Sequence, residues 1–301
     1  MSDTRRAPAL RKLFPVGRAR HAAHVSWDAN MAYARLIVVP IAFLGLFFVW
    51  PLLRVLSRSI TEPSLGLSNY ERILSGGPYL RVLLTTLQTA FSVTAICLLI
   101  AYPFAVYVAS LRPSRANLMT GLLLIPLWTS VVIRSYAWMI LFQKNGVLNE
   151  ALTGLGWIDR PLQILQTSIA VQIGMVHILL PFMMLPLINN LRSLDRTLLR
   201  AGEVLGAGPV KLFLRVYLPL SMPGIAAGVS LVFITALGFY VTPALLGGAS
   251  NTMLAVLIEQ QASTFLDWPL ASALASMLLG VTAAIYFTAN WFIGPGKELR
   301  P

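Results

Sequence analysis

Charge is scarce in this chain, and acid is scarcest. Its 301 residues hold 11 Asp and Glu against 23 Lys and Arg, and 57% of the residues are apolar against 11% charged. So little polar surface cannot clothe a water-soluble fold, and lipid has to be the solvent for most of the chain. Cysteine is limited to Cys97, which excludes an intrachain disulfide. No Gly-x-x-x-x-Gly-Lys-Ser/Thr run is present; the nearest fragment, Gly296-Lys297-Glu298, lacks both the loop and the hydroxyl, so the polypeptide does not cradle a nucleotide's phosphates itself. His21 and His24 sit in a basic stretch with no third ligand nearby, and no Ser, Cys or Asp stands beside a His as a nucleophile requires. Neither a metal site nor catalysis is expected on this chain.

What is abundant is uninterrupted apolar sequence. Val82 to Leu111, Pro161 to Leu191, Val216 to Ile258 and Trp268 to Gly296 contain no Asp, Glu, Lys or Arg, and each exceeds the roughly 20 residues that cross a hydrocarbon core as a helix. Two further stretches carry one charge each, Arg54 and Arg134. The reading is an all-α, polytopic membrane protein with six crossings, centred on Leu36 to Leu56, Thr85 to Ala109, Ala116 to Phe142, Ile169 to Leu187, Ser221 to Leu246 and Leu270 to Phe292. No alternating ten-residue pattern supports a barrel. The first run starts after 35 residues and reaches Trp50-Pro51 without a small-residue cleavage site, so it reads as a retained helix.

The basic residues orient these crossings. With the N-terminus inside, sixteen of the 23 fall on the cytoplasmic side, including Arg5, Arg6, Arg11, Lys12, Arg18, Arg20 and Arg35, then Arg112 and Arg115, then Arg192, Arg196, Arg200, Lys211 and Arg215, and Lys297 and Arg300. That asymmetry places both termini in the cytoplasm. Topology thus accounts for the net charge of +12, and nucleic acid is not an expected partner. The organisation is a basic tail over 1–35, a first helix with its external loop over 36–81, a membrane core over 82–292, and a short tail over 293–301. External segments are marked by Pro63 and Gly76-Gly77-Pro78, with a short helix near Ser68 to Ser75, by Asn145-Gly146 and Gly154, and by Gly247 to Asp267. Met253 to Ile258 is apolar but too short to span, so it lies against the membrane edge or the protein.

Between the fourth and fifth crossings lies a polar interruption, 192–219. Leu191, Leu194, Leu198, Ala201 and Leu205 recur at helical steps behind Asp195, a candidate N-cap, and Gly206 is a natural stop. Gly208-Pro209 then opens a second helix with Val210, Phe213, Leu214 and Tyr217 on its apolar side. Periodicity alone fits either a handle for a cytoplasmic partner or a helix resting on lipid headgroups.

This segment resembles the cytoplasmic loop of binding-protein-dependent ABC importer permeases. The family pattern is Glu-Ala-Ala, three residues, Gly, nine residues, Ile, one residue, Leu-Pro. Ala201, Gly206, Leu218 and Pro219 match it, Val216 replaces Ile, Gly202 replaces the second Ala, and Arg200 stands at the Glu, with Glu203 one turn on. Further runs are similar to the spermidine and putrescine branch: Leu67-Ser68-Asn69-Tyr70, Ile125 to Ser130 continuing through Arg134-Ser135-Tyr136-Ala137-Trp138, Asn145-Gly146, Pro243 to Gly248, and Asp267-Trp268-Pro269. The resemblance implies a type I importer permease fold in a bacterial inner membrane, with 192–219 as the coupling helix segment. It also implies a second homologous permease, two ATPase subunits that bind ATP-Mg, a periplasmic or extracellular solute-binding protein, and no cofactor on this chain. The rival, an ion-gradient carrier, ordinarily places an acid inside a span, and here none does.

A path for an organic cation needs aromatic faces and a few acids, since ring quadrupoles attract ammonium without trapping it. Trp128, Tyr136, Trp138 and Tyr240 supply faces inside the spans, and Glu259 and Asp267 supply acids outside them. The same aromatics also suit an interfacial belt. Arg134 must face protein or water, bonded to carbonyls near Pro181 or Pro186 or set at an outer gate beside Glu259, and His177 reads as a hydrogen-bonded interhelical residue.

Overall fold

The computed structural model describes residues 27–293, and every regular element among them is helical. Most of the expected N-terminal tail, with His21 and His24, and the C-terminal tail beyond Ile293 lie outside the described residues. Among the described residues, those up to Arg54 form one unit and those from Val55 onward a second. The first unit holds α1 (Trp27–Leu44), a π-turn over Gly45–Val49 and the opening of α2 (Trp50–Thr61). Helix α1 begins inside the stretch expected to be tail. A search for lipid-crossing runs misses it because Ala29, Ala32 and Ala34 favour helix without adding a long apolar run.

The second unit begins with the end of α2 and continues through α3 (Ser68–Leu74), α4 (Tyr79–Ser110), α5 (Pro113–Leu124) and α6 (Val131–Leu141). After α7 (Val147–Gly154) come α8 (Ser168–Ser193), α9 (Arg196–Val204), α10 (Pro209–Leu212), α11 (Leu218–Leu237), α12 (Val241–Leu246), α13 (Leu254–Ser263) and α14 (Trp268–Ile293). Five helices are long and apolar enough to cross a membrane, and a bent pair makes a sixth. With the bent pair counted as one span, these match the six expected crossings, and two differ in form.

The third is broken. Helix α5 runs on through a 3-10 turn to Trp128, and α6 leaves it at 86°. Pro126 lies in that turn and Thr129-Ser130 are extended, so the i to i+4 ladder stops there. The fifth starts early: α10, a π-turn over Phe213–Tyr217 and α11 form one helix, Pro209–Leu237. It ends at Gly238, and 241–246 is a separate helix. A charge-free window marks what can lie in lipid, whereas the helix continues outward through Lys211 and Arg215.

Helices α4, α8 and α11 pack together at the core. Ala90, Val93, Cys97, Ala101, Ala105 and Val108 form the buried seam of α4, spaced by three and four. Small side chains let backbones approach where lipid offers no hydrophobic driving force. The same device appears on α11: a Cβ on Gly228 would lie 2.8 Å from Met183 Sδ and 3.1 Å from the Met183 carbonyl oxygen. Met253 and Leu254 are fully buried and the Leu254 N–H donates to Thr86 Oγ1 at 2.8 Å, so the short apolar stretch lies against protein.

Candidate functional site

The connection between α8 and α11 folds as a capped handle. Asp195 Oδ1 accepts from the Thr197 N–H at 2.8 Å and starts α9, as its residue type predicts. That hydrogen bond holds the Asp195 carboxyl below its ordinary pKa range. A carboxyl depressed on folding contributes stability above the ordinary carboxylate range and loses it as pH falls through the folded value. Acidification should therefore loosen the start of α9, and Asp195→Asn, an equally good cap without a titrating proton, should abolish that pH dependence. Hydrogen exchange at Thr197, corrected for its intrinsic chemical rate, reads both.

The stop is equally specific. Gly206 has φ of +77°, its N–H donates to the Glu203 carbonyl at 2.9 Å, and the Ala207 N–H donates to the Gly202 carbonyl at 3.0 Å. These two bonds close a Schellman turn. Pro209 then opens α10 at its first turn behind Gly208, where a missing N–H is harmless. A Cβ at Gly202 would lie 2.5 Å from Leu212 Cδ1, so glycine in place of the family's alanine lets the two helices of the handle close up.

At the tip, Val204 and Leu205 are 88% and 87% exposed. The expected stripe is thus buried only toward the base: Leu191 and Leu194, together with Leu199, Arg200, Glu203 and Tyr217, line a cavity of about 370 Å³ between the handle and the core. Arg200 and Glu203 keep exposed surface and Val216 is half-buried. Pro219 explains the π-turn before it. Its missing N–H leaves the Arg215 carbonyl without its usual donor, and the Leu218 N–H reaches back to the Phe213 carbonyl in the wider turn. Phe213 stacks on Tyr217 with centroids 6.0 Å apart and meets Tyr102 edge-on, and the Tyr102 hydroxyl shares a 3.0 Å hydrogen bond with Ser221 Oγ. Sequence reasoning missed this joint, and the Leu218-Pro219 pair is the one local signal for it.

The residues considered for a solute path fall into two groups. Trp128 is 89% exposed at the break of the third span, and Tyr136 and Tyr240 are also exposed. The others are held by their neighbours. Trp138 Nε1 donates to His177 Nδ1 at 3.1 Å, which makes His177 the interhelical residue expected of it. Glu259 Oε1 accepts from Ser263 Oγ at 2.7 Å. Asp267 Oδ2 accepts from Arg72 Nη1 at 2.7 Å while its Oδ1 accepts from the Leu270 N–H at the start of α14. Asp267 raises the Arg72 pKa through this bond. As an exposed ion pair and a helix cap, Asp267 contributes about 1–2 kcal/mol together. Asp267→Ala should lower thermal stability by that amount without abolishing uptake.

Arg134 departs from both expectations for it. It is 9% exposed, its Nε and Nη1 find no hydrogen-bond partner, and neither carbonyls near Pro181 or Pro186 nor Glu259 satisfy them. The adjacent Ser135 Oγ is fully buried and shares a 2.8 Å hydrogen bond with Thr242 Oγ1, tying α6 to α12.

The family described as "Binding-protein-dependent transport system inner membrane component" matches residues 101–292. The spermidine/putrescine transport system permease protein PotB of Escherichia coli is 37% identical over 276 residues, covering 88% of this chain and all of the relative. PotB of Haemophilus influenzae is 38% identical over 225 residues, covering 74% and 79%. Among solved structures, a bacterial alginate ABC transporter in complex with an alginate pentasaccharide-bound periplasmic protein superposes with a TM-score of 0.72 at 15% identity, over 89% of this chain and 96% of that one. At that identity the likeness is one of fold.

Proposed function

Because the chain belongs to the binding-protein-dependent transport system inner membrane components, we propose that it is the permease subunit of an ATP-driven importer for polyamines such as spermidine and putrescine. It works beside a second permease, two ATPase subunits that bind ATP-Mg, and a soluble solute-binding protein, with both of its termini in the cytoplasm. The observation that carries this reading is the handle's tip: Val204 and Leu205 stand almost fully exposed on a capped, polar helix, an apolar surface that calls for a protein groove. Arg200, Ala201, Gly202, Glu203 and Gly206 form that docking surface, and Val216, Leu218 and Pro219 carry its displacement into α11. ATP-driven closure of the ATPase pair moves the handle, and α8 and α11 rock with it to switch access between the two sides. Trp128, Tyr136 and Tyr240 offer ring faces to a passing ammonium, while Trp138, His177 and Arg134 shape the same region without an acid.

Purification of the tagged chain in mild detergent should bring down a second permease and an ATPase, and vesicles holding the complex should take up labelled spermidine only with ATP and the binding protein. Uptake under an ion gradient without ATP would overturn the assignment.

A further inference from the structure

We propose that the groove between α4 and α8 seats a membrane helix of the second permease, which sets a hydrogen-bond acceptor against His177 Nε2; the inference rests on the reading above that two permeases work together.

Spacing builds the groove. On α8, Ile169, Ile173, Val176 and Leu180 recur at steps of four, three and four, the seam that one helix offers another. Ile96 and Ile100 form the facing wall on α4, and the space between them is about 420 Å³. Ile100, Ile169 and Ile173 are exposed. Such side chains alone would suit lipid equally, because acyl chains are as apolar as they are. Two polar side chains tell against lipid: Gln172 and His177 line the same groove.

The chemistry of His177 is fixed by its neighbour. Trp138 Nε1–H donates to His177 Nδ1 at 3.1 Å, so Nδ1 carries no proton and Nε2 carries it. The two nitrogens lie on opposite sides of the ring, and with Nδ1 turned to α6 the Nε2–H points away from it. This N–H has no partner within the chain, yet it is not sealed in: among the described residues the enclosed unpaired polar atoms belong to Arg134 and Asn190. An accessible donor thus stands in a wall of isoleucine, valine and leucine.

Depth and chemistry choose the occupant. His177 is the tenth of the 26 residues of α8, about 14 Å from its amino end at helical rise, and so lies within the roughly 30 Å hydrocarbon core. Acyl chains at that depth hold only methylene groups and cannot accept the proton. Water gains little from walls that are otherwise apolar. Spermidine fails for another reason, since its ammonium groups are donors and a donor does not satisfy a donor. A helix of the second permease supplies both an apolar body and an acceptor, a hydroxyl, amide or carbonyl oxygen, which is how polar side chains within spans are ordinarily met.

The test uses the complete complex of this chain with its second permease and ATPases, in lipid nanodiscs. A benzophenone amino acid at position 173 should, on illumination, join this chain to one span of the second permease. Adducts with lipid alone, with spermidine, or with nothing would overturn the proposal. The yield of second permease recovered with the tagged chain gives an independent reading. His177→Leu should lower that yield several-fold, and His177→Gln, which keeps a donor, should stay near wild type. Ile173→Trp fills the groove from an exposed position and leaves the Trp138–His177 bond in place, so it should lower the yield without loss of membrane insertion. An unchanged yield for Ile173→Trp would overturn the proposal even if His177→Leu fails to fold. Failure of the wild-type chain to bring down any second permease overturns instead the reading on which the proposal rests.

Discussion

Replacing Gly206 by valine is expected to cut solute uptake by at least about tenfold while membrane insertion and the transmembrane fold survive. No atom lies within 4 Å of a Cβ built there, so the substitution meets no steric wall. Its whole effect comes from φ of +77°, which a β-branched residue adopts only at about 1–2 kcal/mol. That strain falls on the turn whose two hydrogen bonds, from Gly206 to Glu203 and from Ala207 to Gly202, set the angle between α9 and α10. The backbone relieves it by opening the turn, and the exposed Val204-Leu205 tip then loses its fixed presentation to the ATPase. A graded series separates this cause from a generic defect. Asparagine tolerates the left-handed region best after glycine, alanine less well and valine least, so ATPase association and uptake should fall in that order. Equal, near-normal uptake across the three variants would remove Gly206 from coupling.

The handle was legible because its signals are local. An N-cap side chain at Asp195, a glycine at the stop and a proline after it each satisfy backbone groups within a few residues, and no distant neighbour can change that requirement. The spans were legible as composition but not as shape. The break of the third depends on Pro126 and the extended Thr129-Ser130 acting together, and on whatever neighbours accept the exposed turn; a sequence window sums hydropathy across it. The fate of the acids was not legible at all. The Arg72–Asp267 pair joins residues 195 positions apart, so Asp267 presented itself as a free acid near a cationic path until α3 and α14 were placed side by side. Arg134 fails in the opposite direction, since sequence reasoning assumes that a buried charge is satisfied, and the groups expected to satisfy it do not.

Gly228→Val is expected to force apart the packed helices α8 and α11 and so to lower both stability and uptake. A Cβ there would stand 2.8 Å from Met183 Sδ and 3.1 Å from the Met183 carbonyl oxygen. The sulfur ends a flexible side chain and can swing away; the carbonyl belongs to the backbone of α8 and cannot. Overpacking of this kind, with the side-chain and backbone shifts it forces, destabilises by about 1–3 kcal/mol, and valine adds two methyl groups beyond the Cβ. Helix α8 would have to part from α11, and these are the helices that enter and leave the handle, so stability and uptake should fail together. Combining the variant with Met183→Ala tests the mechanism, because it clears the sulfur but leaves the carbonyl. Partial recovery of the melting temperature, with uptake still depressed, is the expected outcome. Full recovery of both would mean that the side chain alone had kept the larger residue out, and the backbone contact between α8 and α11 would then be looser than 3.1 Å implies.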